Sequence, residues 1–143
     1  TGRYGMVIPN FVRQAMTGED ITIFGDGQQS RCFTYVNDVV NEIVKLMETP
    51  KAEGEVFNVG GTEEINMEAL AKLVLKKIGG KSKLVYVPYD KAYPLGFEDM
   101  QRRIPDLSKL KAMTGYSPTK GIDEILDIII EHKKQRLGKL YKY

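Results

Sequence analysis

Apolar runs of only four or five residues alternate along this chain with longer segments whose apolar residues recur every three or four positions. The first pattern suits strands, whose side chains alternate faces; the second suits helices, whose faces repeat every ~3.6 residues. The spacing predicts a helix over 5–17, with Pro9 in its first turn and Gly18 at its end. A strand Ile21–Phe24 follows, then a Gly25-Asp26-Gly27 turn and an extended stretch Arg31–Tyr35. Over 36–48, Val36, Val39, Val40, Ile43, Val44 and Met47 form one apolar stripe with Asp38, Asn41, Glu42 and Lys45 opposite, and Pro50 stops the helix.

Glu55–Val59 reads as a strand closed by Gly60-Gly61. Asn66 is placed to cap a helix over 67–78 that ends at Gly79-Gly80. Leu84–Val87 reads as a strand, 88–105 as an ordered loop holding three of the six prolines, and 107–113 as a short helix. A last helix spans 122–137, with Ile122, Ile125, Leu126, Ile129 and Ile130 inward. Strands alternating with helices define the α/β class. At 143 residues the chain has room for one domain, which buries about 70% of its unfolded surface.

Composition narrows the chemistry. With 21 Lys+Arg against 19 Asp+Glu, the net charge of +2 excludes a strongly basic nucleic-acid protein. The basic tail over 133–143 reads as cations at a helix C-terminus and carries no nucleic-acid role. No apolar run approaches the ~18 residues of a membrane span, and no signal peptide opens the chain. Cys32 is the only cysteine and His132 the only histidine, which argues against an internal disulfide, zinc chemistry and a Ser-His-Asp triad. These features together set the expectation of a cytoplasmic location. The chain begins at Thr1 without an initiator methionine, which sets the expectation of a fragment or a processed product.

Two motifs imitate catalytic signatures. Gly25-Asp26-Gly27-Gln28-Gln29-Ser30 nearly matches a dinucleotide fingerprint, but such a fingerprint must open a helix, and an extended segment follows here. Tyr116 and Lys120 have the spacing of a dehydrogenase Tyr/Lys pair, but Pro118 between them disfavours the helix that would set both on one face.

The segment Ile21–Asp38 carries more weight. Arg31 follows a glycine turn, where a guanidinium can grip phosphate while glycine backbone admits a ligand closely. On an extended strand Phe33 and Tyr35 project to the same side as Arg31, an aromatic wall beside a cation. Arg102-Arg103 offers a second cationic clamp in the proline-bounded loop.

The order Val7-Ile8-Pro9-Asn10-Phe11, Ile21-Thr22-Ile23-Phe24-Gly25-Asp26-Gly27, Gln29-Ser30-Arg31, Tyr35-Val36, Asp38, Phe57-Asn58-Val59-Gly60, Arg103 with Pro105-Asp106-Leu107, and Gly115-Tyr116-Ser117-Pro118 spans nearly the whole chain. It resembles the carboxy-terminal part of the extended short-chain dehydrogenase/reductases, the NAD-dependent nucleotide-sugar epimerase/dehydratase family. The resemblance implies a substrate-binding part of a Rossmann-type enzyme whose amino-terminal dinucleotide-binding part is absent, and a single nucleotide-sugar-binding region over 1–143. It implies that Arg31 and one of Arg102 and Arg103 grip a diphosphate. It implies also that Val7, Ile23 and Phe24 bracket the base, that Phe33 lies against the nucleotide and that Asn58 borders the site.

The family's glycine fingerprint and its catalytic tyrosine, lysine and serine or threonine precede the region matched here, so no catalytic residue is assigned. In the family, NAD takes a hydride from the sugar, and the keto intermediate then rotates, decarboxylates or dehydrates. The parent is thus expected to use NAD and a UDP- or dTDP-sugar and to form a homodimer, with no membrane or nucleic-acid partner. The isolated piece is expected to be inactive and to self-associate through uncovered apolar surface. Gly96-Phe97-Glu98-Asp99-Met100 tilts the resemblance toward UDP-glucose 4-epimerases, with UDP-glucuronate decarboxylases and dTDP-glucose 4,6-dehydratases as alternatives. A non-catalytic nucleotide-binding or scaffolding domain is the rival of another class.

Overall fold

The computed structural model describes residues 6–92 and 100–140. In chain order the elements are α1 (Val7–Thr17), β1 (Ile21–Phe24), β2 (Ser30–Cys32), α2 (Val36–Met47), β3 (Glu64–Asn66), α3 (Met67–Ile78), β4 (Leu84–Val87), α4 (Tyr89–Ala92), β5 (Arg102–Arg103), α5 (Ser108–Thr114) and α6 (Ile122–Leu140), with a 3-10 turn at Pro50–Ala52. The α/β class expected from the periodicities is the class observed.

Local chemistry sets most boundaries. Asn66 Oδ1 accepts from the Ala69 amide at 2.7 Å and supplies one of the four donors a helix start leaves unpaired. Gly18, Gly79 and Gly115 close α1, α3 and α5 in left-handed conformations. Pro9 sits in the first turn of α1, where its missing N–H costs nothing.

Two small sheets carry the strands. β1 pairs in parallel with β4, Ile21 opposite Leu84 and Phe24 opposite Val87. The second sheet runs β3-β2-β5, with β2 antiparallel to β3 and parallel to β5. The core lies where α1, α3 and α6 meet β1. Ile8, Phe11, Val12 and Ala15 pack with Ile21, Ile23, Leu70, Ala71, Val74, Leu126 and Ile130, all buried. A fully buried aliphatic side chain of this kind contributes about 1.5–3 kcal/mol. Ile125 is also buried, and Ile122 and Ile129 pack partly buried on the core, so α6 faces as its periodicity predicts. Among the described residues no helix is long and apolar enough to cross a membrane.

Three expectations change. Glu55–Val59 joins no ladder; the strand that pairs with β2 is Glu64–Asn66, and a run of apolar residues cannot become a strand without a partner edge. The 88–105 segment is more than a loop, since it contains α4 and β5. And α2 lies with its charged side inward: Asp38 and Glu42 are 5% exposed, whereas Val36, Val40, Ile43, Val44 and Met47 are exposed at 65%, 51%, 48%, 49% and 81%.

Candidate functional site

The β2–β5 register decides how the arginines are arranged. Residues paired across a parallel ladder put their side chains on the same face, and neighbours along a strand alternate. Arg31 pairs with Arg103, so these two share one face. Ser30 pairs with Arg102 on the other face. Cys32 pairs with Glu64 across β2–β3, two residues from Ser30, so Glu64 lies on that second face as well.

Side-chain bonding follows the faces. Arg102 Nε and Nη2 donate to the two Glu64 carboxylate oxygens at 2.9 and 3.0 Å, a fork-on-fork pair. Ser30 Oγ donates to the same carboxylate at 2.5 Å. The Arg102 guanidinium, and next the Ser30 hydroxyl, hold the Glu64 carboxyl below the usual carboxylate range. Burial foremost pushes the Cys32 thiol up, away from thiolate chemistry.

On the opposite face Arg31 Nη1 donates to the backbone carbonyls of Ser30 and Met100, both at 2.7 Å, and the Ser30 amide donates to the Gln101 carbonyl at 2.8 Å. Arg31 thereby ties β2 to the chain entering β5. Among the described residues Arg103 is exposed and makes no ion pair.

The other residues singled out from sequence fall around this sheet. Phe33 is half-buried, packs on the edge of the core, and lines a cavity of about 100 Å3 with Gly61, Thr62, Glu63 and residues 118–121. Gly61 is required there: a Cβ on it would lie 2.1 Å from the Phe33 carbonyl oxygen. Its amide donates to Thr34 Oγ1 at 2.8 Å. Asn58 Nδ2 donates to the Asp106 carbonyl at 3.2 Å, linking the 55–61 segment to the loop after β5.

Val7 opens α1 and packs on the core, and Phe24 is partly exposed at the end of β1. The Ile23 side chain is 1% exposed within the core, which leaves only its backbone for any ligand. A second cavity, of about 370 Å3, is lined by Thr62, Ile104, Pro105, Asp106, Lys111 and Tyr116 among others. It is at the small end for a ligand site, and neither cavity is lined by Arg31, Arg102 or Arg103. The residues at Gly96-Phe97-Glu98-Asp99 lie outside the described residues.

Neither imitation motif has the geometry its signature needs. The Tyr116 hydroxyl is buried and donates to the Gly60 carbonyl at 2.9 Å, and burial foremost raises its pKa, the wrong direction for a base. Lys120 pairs with Glu124 at 3.3 Å and lies 5.7 Å from the Tyr35 ring centre, so no Tyr/Lys couple forms. The Gly25-Asp26-Gly27 turn runs into β2, not into a helix.

Sequence reasoning missed the groups that hold this region together. Asp38 accepts from the Thr119 amide at 2.9 Å and from Thr119 Oγ1 at 2.6 Å. Glu42, one turn on, accepts from the Thr114 hydroxyl. The available signal was that Asp38 and Glu42 stand four apart and so share one helix face.

The geometry defines an α/β unit in which a strand arginine after a glycine turn shares a face with a second, exposed arginine. The first 60 residues match the sequence model of the NAD dependent epimerase/dehydratase family. The chain is 42% identical over 117 residues to a UDP-N-acetyl-alpha-D-glucosaminuronate decarboxylase of Bacillus cytotoxicus, covering 82% of this chain and 36% of that protein. It is 33% identical over 133 residues to UDP-glucuronic acid decarboxylase 1 of Danio rerio, covering 93% and 30%.

Among solved structures, UDP-glucose 4-epimerase of Thermotoga maritima with UDP-glucose superposes with a TM-score of 0.82 at 31% identity, covering 95% of this chain and 42% of that one. UDP-glucuronic acid 4-epimerase of Bacillus cereus, in complex with UDP-glucuronic acid and NAD, gives 0.79 at 29% identity, covering 91% and 40%. By sequence and by fold the chain is a portion of an extended short-chain dehydrogenase/reductase of the NAD-dependent nucleotide-sugar epimerase/dehydratase family. It spans about a third of the length of these curated relatives.

The family is NAD-dependent, and the Bacillus cereus structure contains NAD. The described residues do not fit the dinucleotide's pyrophosphate. That group needs a glycine loop opening a helix, and the Gly25–Gly27 turn opens a strand.

Proposed function

We propose that this chain is the nucleotide-sugar-gripping, carboxy-terminal part of an NAD-dependent enzyme acting on a UDP-hexuronate, and that the parent enzyme is a decarboxylase. The observation that carries the binding role is the shared face of Arg31 and Arg103. Two neighbouring guanidiniums match the two charges of a diphosphate, and charge-assisted, bidentate bonds to phosphate are the strongest a side chain can offer. Arg102, spent on Glu64, has no such role in this reading. The uronate and decarboxylase assignments are supported by decarboxylase relatives at 32–42% identity. The second reading, a 4-epimerase, is favoured by the superposition on the Thermotoga maritima enzyme.

The chain contributes positioning. Fixing the diphosphate holds the sugar against reacting groups that these residues do not supply, which converts a random encounter into an oriented one. Among the described residues no helical Tyr/Lys pair is present, so the 143-residue chain alone is expected to turn over no UDP- or dTDP-sugar. Product appearing from it would refute this division of labour.

Calorimetric titration with UDP tests the binding role. Arg31→Ala is expected to weaken UDP by about 1.5–3 kcal/mol, the range for hydrogen bonds to charged groups. Arg103→Ala is expected to weaken it as well, and Arg102→Ala to leave it within twofold. Equal effects at 102 and 103, or an unchanged affinity at 31, would overturn the assignment. Product analysis of the parent with UDP-glucuronate separates decarboxylase from epimerase, because only the former releases carbon dioxide.

A further inference from the structure

Gln29 carries a buried amide that the binding role does not use. The residue is 5% exposed and lines neither cavity. Its Nε2 donates to the Phe24 carbonyl at 2.8 Å. Its Oε1 is buried and has no donor among the described residues, so the bond to Phe24 decides how the amide is turned. Packing does not account for an amide here. Methionine has nearly the same length and would fill the space with far less polar surface to desolvate.

The bond crosses a break in the fold. β1 and β2 belong to different sheets, and among the described residues no ladder joins the two. The chain between them is fastened step by step. The Gly25 amide donates to the Val87 carbonyl at 2.9 Å, and the Gly27 and Gln29 carbonyls accept from the first amides of α3, Glu68 and Met67, both at 3.1 Å. Asp26 Oδ1 accepts from the Gln28 amide at 2.9 Å. Gln29 Nε2 adds a direct tie from the last residue of β1 to the residue before β2. The two ends of that tie differ in chemistry. On the β2 side Arg31 lies two residues on, sharing a face with Arg103. On the β1 side the parallel strands β1 and β4 end together at Phe24 and Val87, and ligands of α/β folds lie outside the carboxyl ends of parallel strands. Phe24 is partly exposed there, and the Tyr89 ring lies so close to Gly25 that a Cβ on it would stand 2.4 Å away. One end offers charge and the other aromatic surface.

We propose that Gln29 is a positioning residue that fixes the distance between these two ends, so that one ligand, with an aromatic base at one end and a diphosphate at the other, engages both at once. The proposal rests on the reading of this chain as a nucleotide-sugar-gripping unit. A ligand that bridges two subsites gains an effective concentration for its second contact, and that gain is largest when the spacing of the subsites matches the ligand and is held. Breaking the Phe24–Gln29 bond therefore acts on ligands that bridge and spares ligands that fill the charged end alone. The link is reciprocal: whatever factor the bond contributes to the affinity of a bridging ligand, that ligand returns to the bond as resistance to opening.

Titration of the 143-residue chain with UDP and with inorganic pyrophosphate tests this. UDP is expected to bind at least about tenfold more tightly than pyrophosphate. Gln29→Met is expected to weaken UDP about fivefold and to leave pyrophosphate within about twofold. Gln28→Ala, at an exposed neighbour, is expected to change neither. In the native chain, where no variant has to fold, saturating UDP is expected to slow solvent exchange of the Gln29 Nε2 protons about fivefold, and saturating pyrophosphate less than about twofold. Unchanged UDP affinity in Gln29→Met, an equal loss of both ligands, or exchange at Nε2 that ignores UDP would overturn the proposal. An equal loss is what a merely structural glutamine gives. Failure of the underlying reading looks different. That reading fails when the native chain binds UDP no more tightly than pyrophosphate, or when Arg31→Ala leaves pyrophosphate unchanged, and the proposal falls with it. Arg31→Ala weakening both ligands while Gln29→Met weakens neither keeps the nucleotide reading and removes Gln29 from it.

Discussion

In the 143-residue chain, Asp38→Ala is expected to destabilise far more than Val40→Glu, the reverse of the order for an ordinary amphipathic helix. Asp38 is 5% exposed and accepts two hydrogen bonds from Thr119. Hydrogen bonds to a charged group contribute about 1.5–3 kcal/mol each, part of which is returned when the buried carboxylate itself is removed. Alanine takes this partner from the Thr119 amide, but Thr119 is itself exposed, so water replaces it and little is added. The net loss is about 1.5–3 kcal/mol.

Val40 is 51% exposed, so about half its side-chain burial is at stake, roughly 1 kcal/mol or less. Glutamate's better helix propensity recovers a few tenths of that. Urea unfolding measures both. With slopes of about 1–3 kcal/mol/M, the Asp38 midpoint should fall by about 0.5–3 M and the Val40 midpoint by distinctly less at the same slope. A larger loss at Val40 than at Asp38 would show that the stripe faces the core and would refute the inverted packing.

Gly25→Ala should cost more stability than Gly54→Ala. Both glycines have positive φ, a conformation that costs an L-residue about 1–2 kcal/mol, but only at Gly25 does the new Cβ meet a neighbour, 2.4 Å from the Tyr89 ring. Equal thermal midpoints for the two variants would count against the Gly25–Tyr89 contact. Glu64→Gln should flatten the acid limb of stability. The carboxyl is depressed in the folded chain, so its contribution is present above the unfolded pKa and is lost as pH falls through the folded value. Urea midpoints measured from pH 7 down to 3 should fall less steeply for the variant than for the native chain; identical slopes would remove Glu64 from the pH response.

The sequence by itself determined what depends on near neighbours in the chain. Asn66 capping α3, the glycines closing α1, α3 and α5, and the inward face of α6 are all read from a few consecutive residues, because caps and helical periodicity are local. The order of motifs around Arg31 was legible for the same reason. Only the tertiary structure decided the rest. Periodicity showed that α2 has two unlike faces but not which one meets the body, since that depends on what Thr114 and Thr119 offer beneath it. It could not tell Glu55–Val59 from Glu64–Asn66 as the paired strand, because a ladder belongs to two segments at once. And Arg102 and Arg103 are equivalent in one dimension. The ladder with β2 separates them, sending one guanidinium to Glu64 and leaving the other beside Arg31.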